Sequence, residues 1–327
     1  MKSPPRTVMV PLDGSPASEQ ALVIGAAVAR HAGASLHLVT VKPPVSSVYA
    51  HGIAGDGMSA ERALQEGLRH YLEQQAQVVR GGGRAGEVSC AVLDGVASRA
   101  LAEYARTHEV DLIVMTTHGW GGLKRLWLGS VADELMRRLP CPVLFMRPSS
   151  ALPAIGLHRI LVALESTESA DAILDPALVL ADLVVGTHYT LLQVIEPQPP
   201  LILRMAGIPA RTANTWVREV ADAAGGRLEH LAQRLRRRGI VADARVLIGR
   251  GTGEQIVTFA RRAGCDLIAV GTRGAHGVER AIFGSVADKV VRGATQMVLV
   301  VPLAAAVAPE PETRREATAL ADTGKQR

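Results

Sequence analysis

The stretch Gly271-Thr-Arg-Gly274, followed after nine residues by Gly284-Ser285, occurs twice in this chain. Its earlier copy reads Thr116-Thr-His-Gly119, nine residues, and Gly129-Ser130. Each copy follows an apolar run typical of a buried strand and precedes a serine with an acid three residues later, which is typical of a helix start. Strand, glycine loop and helix suit a phosphate, because the unpaired N–H groups of a first helical turn favour an anion. Such a loop is also an ordinary strand-to-helix turn, but here its whole context is duplicated.

The duplication extends over most of the chain. A shift of 155 positions places Asp111 on Asp266 and aligns 129–133 with 284–288 residue for residue. In the first half the hydrophobic pattern predicts strands at 7–13, 35–41, 88–93, 110–115 and 142–146, with a first helix ending near residue 31 and others at 59–79, 97–108 and 130–139. In the second half it predicts strands at 159–165, 189–194, 242–248, 266–270 and 297–301, around a long helix at 219–238. This alternation predicts parallel sheets with helices on both faces.

We therefore predict two tandem α/β domains, each built on a five-stranded parallel sheet. The first domain is expected at 1–148 and the second at 157–303, and 304–327 lacks apolar periodicity and is predicted to be a disordered tail. Pro176 falls inside the first helix of the second domain, so we expect a kink there or a helix that restarts with Asp175 as its cap. Parallel sheets bind ligands where the strand order reverses, so both glycine loops are predicted at a ligand-binding edge.

Composition limits the classes of function. The chain of 327 residues is only 3% aromatic and has a formal charge of +5, which argues against a dedicated nucleic-acid binder. Its three cysteines are far apart, without a CxxC pair or a metal-spaced cluster, and this favours a reducing compartment. No apolar run approaches the ~20 residues of a membrane span, and no signal-peptide pattern is seen, so we expect a cytoplasmic protein.

With both loops placed after strands, the chain resembles the universal stress protein family, the UspA-type domain, in a tandem form that covers nearly all of 5–303. The most specific element is the pattern G-x2-G-x9-G-[ST], which Gly271, Gly274, Gly284 and Ser285 match in full. The strand Val10-Pro-Leu-Asp13 and the segment Pro140-Cys-Pro-Val-Leu144 are also similar to family sequence. The resemblance implies a Rossmann-like fold of the adenine-nucleotide alpha-hydrolase type.

The resemblance also implies two nucleotide sites. In members that bind ATP, the adenine and ribose lie between the ends of the first two strands, and the phosphates lie on the glycine loop. The first site would be lined on the strand side by Pro11, Asp13 and Val41, and on the loop side by Met115, Thr116, His118, Gly119, Gly129, Ser130 and Val131. The second site would be lined by Ala163, Glu165 and Val194, and by Val270, Gly271, Arg273, Gly274, Gly284, Ser285 and Val286. The implied cofactor is ATP, with Mg²⁺ or Mn²⁺.

Each site departs once from the family pattern. Thr116 stands where the first glycine belongs, and its β-carbon would obstruct close backbone approach or forbid a positive φ. Glu165 stands where the acid is normally aspartate, and is longer by one methylene. The first site therefore keeps the acid and the second keeps the loop, and the sequence leaves open which of them binds the nucleotide. Asp13, Ser130 and Ser285 also have a purely structural interpretation as helix caps.

Three functions remain open. No G-x4-G-K-[ST] pattern and no kinase signature set is present, so the leading hypothesis is an adenine-nucleotide-binding stress-response sensor or regulator. The first alternative is a slow ATPase or autophosphorylating protein, in which Asp13 or Glu165 holds Mg²⁺ and Ser130, Ser285 or a loop threonine receives phosphate. The second is an interaction protein with degenerate sites that binds no nucleotide, which the residues at 116 and 165 favour.

Association is expected from the last strand of each domain. The segments 142–146 and 297–301 would each lie at a sheet edge, with N–H and C=O groups that a partner strand can satisfy. In the resembled family these strands mediate pairing, so we expect the two domains to pair within one chain. Homodimers remain open.

Overall fold

The computed structural model describes residues 4–42, 57–83, 86–117, 129–138, 140–148, 157–165, 170–181, 186–197, 200–273 and 284–303. Among these residues the first half alternates strands and helices as the sequence predicts. The elements are β1 (Thr7–Pro11), α1 (Pro16–Ala32), β2 (Ser35–Lys42), α2 (Gly57–Gly81), β3 (Val88–Asp94), α3 (Ala97–Thr107), β4 (Leu112–Thr116), α4 (Ser130–Met136) and β5 (Val143–Met146). The predicted disordered tail, 304–327, lies outside the described residues.

Among the described residues, the second half repeats this order and has one further short helix. Its elements are β6 (Arg159–Ala163), α5 (Ala170–Ala181), β7 (His188–Ile195), α6 (Pro200–Met205), α7 (Ala210–Arg236), β8 (Val241–Ile248), α8 (Thr252–Arg262), β9 (Leu267–Arg273), α9 (Ser285–Gly293) and β10 (Met297–Leu303). None of the described helices is both long and apolar enough to span a bilayer.

One helix prediction was wrong, and one of the two alternatives predicted at Pro176 is excluded. The long helix begins at Ala210 and not near 219, because its first buried positions are small alanines such as Ala213, which give little hydrophobic signal. Helix α5 runs through Pro176 without restarting at Asp175. The proline leaves the carbonyl of Ala172 without its helical partner, but Ala172 is exposed, so water can satisfy that carbonyl.

The strands form one sheet in the order β3-β2-β1-β4-β5-β10-β9-β6-β7-β8. Neighbours within each half are parallel, which confirms the predicted α/β class. The halves meet where β5 and β10 pair antiparallel, with Phe145 opposite Val298 and Val143 opposite Val300. Chain order reverses between β1 and β4 in the first half and between β6 and β9 in the second. These two switch points are where a ligand is expected.

Apolar side chains fill both faces of the sheet. One cluster, which we name the site-face core, contains Met115, Phe145 and Val270 and packs under α3, α4, α8 and α9. The opposite cluster contains Val10 and Leu228 and packs under α1, α2, α5 and α7. Each core continues across the junction of the halves, so the two switch points belong to one packed structure.

The pH dependence of stability should be influenced by His37, which lies under α3. Its Nδ1 is 3.1 Å from the hydroxyl of Tyr104, and its ring centroid is 5.8 Å from that of His108. Burial, followed by the nearby His108, lowers the pKa of His37 below 6.5, and Glu87 opposes this shift. The unfolded chain therefore binds a proton more readily, so stability is lost as the pH falls through 6.5.

We expect the unfolding free energy, measured by urea denaturation, to decline between pH 7 and pH 5.5. In His37→Gln the amide can still bond to Tyr104. The decline should be shallower in this variant, because it lacks a group that binds a proton more weakly in the folded than in the unfolded chain. Identical pH slopes in the two proteins would show that His37 does not contribute.

Candidate functional site

A cavity of about 260 Å³ opens at the switch point of the second half, at the carboxyl ends of β6, β7 and β9. Its walls are mainly aliphatic, and the first turns of α8 and α9 contribute to them. The lining residues are Ala163, Leu164, Glu165, Ile173, Leu192, Val194, Glu196, Thr252, Ile256, Val270, Gly271, Val286 and Leu303.

Six residues predicted for the second site line this cavity together. They are Ala163, Glu165, Val194, Val270, Gly271 and Val286. Gly284 and Ser285 lie at the start of α9, immediately before Val286. The backbone of Arg273 ends β9, and Gly274 lies outside the described residues.

Gly271 does not open the loop as predicted. Strand β9 continues through Arg273, and Gly271 pairs there with Val301 of β10. A β-carbon at Gly271 would lie 2.6 Å from Cδ1 of Leu303 and 2.9 Å from Cδ1 of Ile173. The glycine therefore leaves room for these two terminal methyl groups, and the turn of the chain begins later than the sequence pattern suggests.

The predicted serine caps were also wrong. Gly129 and Gly284 occupy the N-cap positions of α4 and α9, each with extended backbone, and no side-chain cap bond is found at either helix in the described residues. Ser130 and Ser285 are the first helical residues and are exposed. Their hydroxyls are thus not used as caps, and the first-turn N–H groups remain directed at the loop side.

Glu196 and Thr252 are site residues that the sequence prediction missed. Glu196 follows β7, and its Oε1 accepts hydrogen bonds from the backbone N of Thr252 at 2.7 Å and from its Oγ1 at 2.6 Å. These bonds, from the side chain and then from the backbone, lower the pKa of Glu196, so it is ionised at neutral pH. An acid directly after a strand was the available signal, since the same feature identified Asp13.

The apolar residues predicted for the first site gather in the equivalent position. Val41 and Val131 pack with Met115 in the site-face core. Thr116 is buried in β4 opposite Met146, so its extended backbone does not require the positive φ that threonine would resist. Pro11 ends β1, and the amide of Gly129 donates to the carbonyl of Thr117 at 2.8 Å. His118 and Gly119 lie outside the described residues.

Asp13 follows β1 and is fixed by the turn into α1. Its Oδ1 accepts from the backbone N of Ser15 at 3.0 Å and from the Ser15 hydroxyl at 2.5 Å. Burial favours the protonated acid, but the bonds from Ser15 and Ser18 outweigh it, and the pKa of Asp13 lies below its usual value. The helix cap is Ser15, whose hydroxyl accepts from the amide of Ser18. Asp13 is therefore a preorganised carboxylate that supports the cap.

Lys42, which follows Val41 in sequence, forms ion pairs within the protein. The Lys42 side chain is 7% exposed, and its Nζ lies 2.7 Å from Glu61 and 2.9 Å from Asp94. Hydrogen bonds to these carboxylates raise the pKa of Lys42. We therefore assign no phosphate contact to this lysine.

An ion-pair network joins the two halves beside α4 and α9. Arg292 of α9 pairs with Asp288 one turn earlier, at 2.8 Å, and also with Asp133 of α4. Burial opposes ionisation of Asp133, but hydrogen bonds from Arg137 and Arg292 lower its pKa. The helices that begin at the two glycine loops are thereby linked to each other.

Comparison with known proteins agrees with this architecture. The family model described as universal stress protein family matches residues 5–147 and 156–302. The chain belongs to the universal stress protein family. A universal stress protein of Thermus aquaticus is 30% identical over 146 residues, which are 43% of this chain and 98% of that protein. One from Methanocaldococcus jannaschii is 28% identical over 148 residues, which are 43% of this chain and 82% of that protein.

A solved structure shares the fold over nearly the full length of the chain. The universal stress protein from Archaeoglobus fulgidus superposes with a TM-score of 0.66, covering 92% of this chain and 99% of that one. At 18% identity this likeness concerns the fold alone. The predicted family and its tandem, Rossmann-like α/β architecture are therefore confirmed.

Proposed function

We propose that this universal stress protein binds adenine nucleotide, with ATP as the ligand, and acts as a sensor or regulator in the stress response. The observation that carries the proposal is the cavity at the second switch point, which six of the predicted site residues line. Parallel sheets bind ligands at this edge, and the nucleotide-binding members that the chain resembles use the corresponding strand ends.

The cavity suits the base and sugar of a nucleotide. Its volume of about 260 Å³ is close to the lower end of the roughly 300–1,000 Å³ of ligand pockets, so it can hold part of an ATP molecule. Ala163, Val194 and Val270 offer apolar surface to a flat ring, and Glu165 offers an acceptor to ribose hydroxyls. The phosphates would continue toward the start of α9, where first-turn N–H groups and the helix dipole favour an anion.

The first site is proposed on the same grounds. Val41, Met115 and Val131 correspond to the apolar walls, and Asp13 supplies the acid at the end of β1. If Mg²⁺ or Mn²⁺ accompanies the phosphates, the carboxylates that follow β1 and β6, Asp13 and Glu165, are the protein groups suited to hold it. The loop residues His118, Gly119, Gly274 and Arg273 stay predicted phosphate contacts.

We further propose that the halves act as one unit in the cytoplasm. The domains would span 1–148 and 157–303, and the β5–β10 ladder and the Asp133–Arg292 ion pair support their pairing within one chain. This pairing uses β5 and β10 and leaves β3 and β8 as the outer strands. A homodimer would therefore form on a surface other than the β5–β10 edges.

Filling either site with an indole should remove the response to ATP at that site. At a ligand concentration 100 times Kd, binding stabilises a protein by about 2.7 kcal/mol, which a thermal-shift assay with MgATP detects. We expect Val286→Trp to abolish the second site's share of the shift and Val131→Trp the first site's share. Val220→Trp, on the exposed side of α7, is the matched control and should respond like the unmodified protein.

The proposal is contradicted if millimolar MgATP leaves the melting temperature of the unmodified protein unchanged. It is also contradicted if the double variant Val131→Trp/Val286→Trp still responds in full, because ATP would then bind elsewhere. Phosphate release measured on the same samples distinguishes a slow ATPase from a binding protein.

A further inference from the structure

Glu196 occupies a position in the second site that the predicted nucleotide contacts do not use. It lines the cavity together with the aliphatic residues of the strand ends. Both hydrogen bonds from Thr252 end on its Oε1, which fixes the direction of the carboxylate against the start of α8. Oε2 is not used by Thr252 and can accept a hydrogen bond from a ligand.

The polar groups of this cavity accept hydrogen bonds more readily than they donate them. Glu165 and Glu196 are acceptors only when ionised, and the hydroxyl hydrogen of Thr252 is already given to Glu196. A ligand whose polar edge carries acceptors would therefore be repelled by the carboxylates. A ligand whose edge carries an amino group or hydroxyls would donate hydrogen bonds to them.

The arrangement is specific to the second half. Strands β2 and β7 have the same length, and the residue that follows β2 is Pro43 where β7 is followed by Glu196. Thr252 corresponds to Ala97 at the start of α3, where Val96 is the N-cap and has no side-chain cap bond. The first half thus starts the equivalent helix without such a pair, so capping alone does not require the carboxylate in this fold.

We infer that Glu196 is a specificity-determining residue of the second site, where its carboxylate accepts a hydrogen bond from the amino group of the bound base. The site then favours a 6-aminopurine over a 6-oxopurine, because the oxo group would place a second acceptor against the carboxylate. In this arrangement Glu165 accepts hydrogen bonds from the sugar hydroxyls. The inference rests on the proposed function, since it names the base that the same site selects.

The test compares MgATP with MgITP, which differ at this position of the purine. Titrations are made by calorimetry on the full chain carrying Val131→Trp, so that only the second site is measured. A hydrogen bond to a charged group discriminates by about ten- to a hundredfold, so ATP should bind that much more tightly than ITP. Adding Glu196→Gln should abolish or reverse the preference for ATP, because the amide oxygen still accepts from Thr252 and the amide NH2, which only donates, then faces the base.

Glu229→Gln is the matched control, since it removes the same charge from α7. Glu229 pairs with Arg236 and does not belong to the cavity lining, so its variant should keep the ATP preference. A general weakening of α8 would lower the affinity for both nucleotides and leave their ratio intact. The ratio therefore separates base recognition from helix capping.

Two results would overturn the inference and leave nucleotide binding standing. One is equal affinity for ATP and ITP in the Val131→Trp parent, and the other is an unchanged ratio after Glu196→Gln. If the parent binds neither nucleotide, both the inference and the proposed second site fail.

Discussion

Phe145→Ala is expected to lower the free energy of unfolding by about 4 kcal/mol, the middle of the range for removing a buried aromatic ring. Phe145 is 1% exposed, and it lies in β5 between Met115 of β4 and Val298 of β10. The cavity would thus open where the two halves of the sheet join. Urea denaturation measures the loss.

Phe259→Ala makes the same change at a half-buried position of α8 and is the control. Its expected loss is about 1–2 kcal/mol, in the usual range for a partly exposed residue. Equal losses in the two variants would contradict the central position of Phe145.

Gly25→Val is expected to lower the free energy of unfolding by about 3 kcal/mol through overpacking. A β-carbon at Gly25 of α1 would lie 2.4 Å from Cγ2 of Val10, which is fully buried in β1. Either α1 must move away from the sheet or Val10 must leave its rotamer. Because β1 ends at the first switch point, the displacement should also weaken ATP binding at the first site.

Gly67→Val tests the same substitution in α2, where a β-carbon would meet nothing within 4 Å. Its unfolding free energy should stay within about 0.5 kcal/mol of the unmodified protein. Comparable destabilisation in both variants would indicate a general effect of valine in helices and not a close contact at Gly25.

The fold was largely predictable because its signals are local and repeated. Apolar runs predicted the strands, and the first helix, expected to end near residue 31, ends at Ala32 and is followed by Gly33 in the left-handed conformation with φ of 66°. The start of α7 was missed because alanines form its buried stripe. The continuous helix at Pro176 could not be predicted, since the exposure of Ala172 follows from the tertiary structure.

The site was predictable at the level of strand ends. Residues at the ends of β6, β7 and β9 were expected to meet, and six of the predicted residues line one cavity. The reason for Gly271 was not predictable, because Leu303 and Ile173 approach it from distant parts of the chain. The N-cap glycines were missed because a serine followed by an acid imitates a capping box. Glu196 was missed because its position depends on a hydrogen bond from Thr252, which is 56 residues away in sequence.

The most direct test of nucleotide binding is calorimetric titration of MgATP into the intact chain, after any nucleotide retained through purification has been removed and identified. We predict saturable binding of at least one ATP per chain, which Val131→Trp and Val286→Trp together abolish. Absence of binding, with no nucleotide retained, would contradict the account and leave an interaction protein with two degenerate glycine loops.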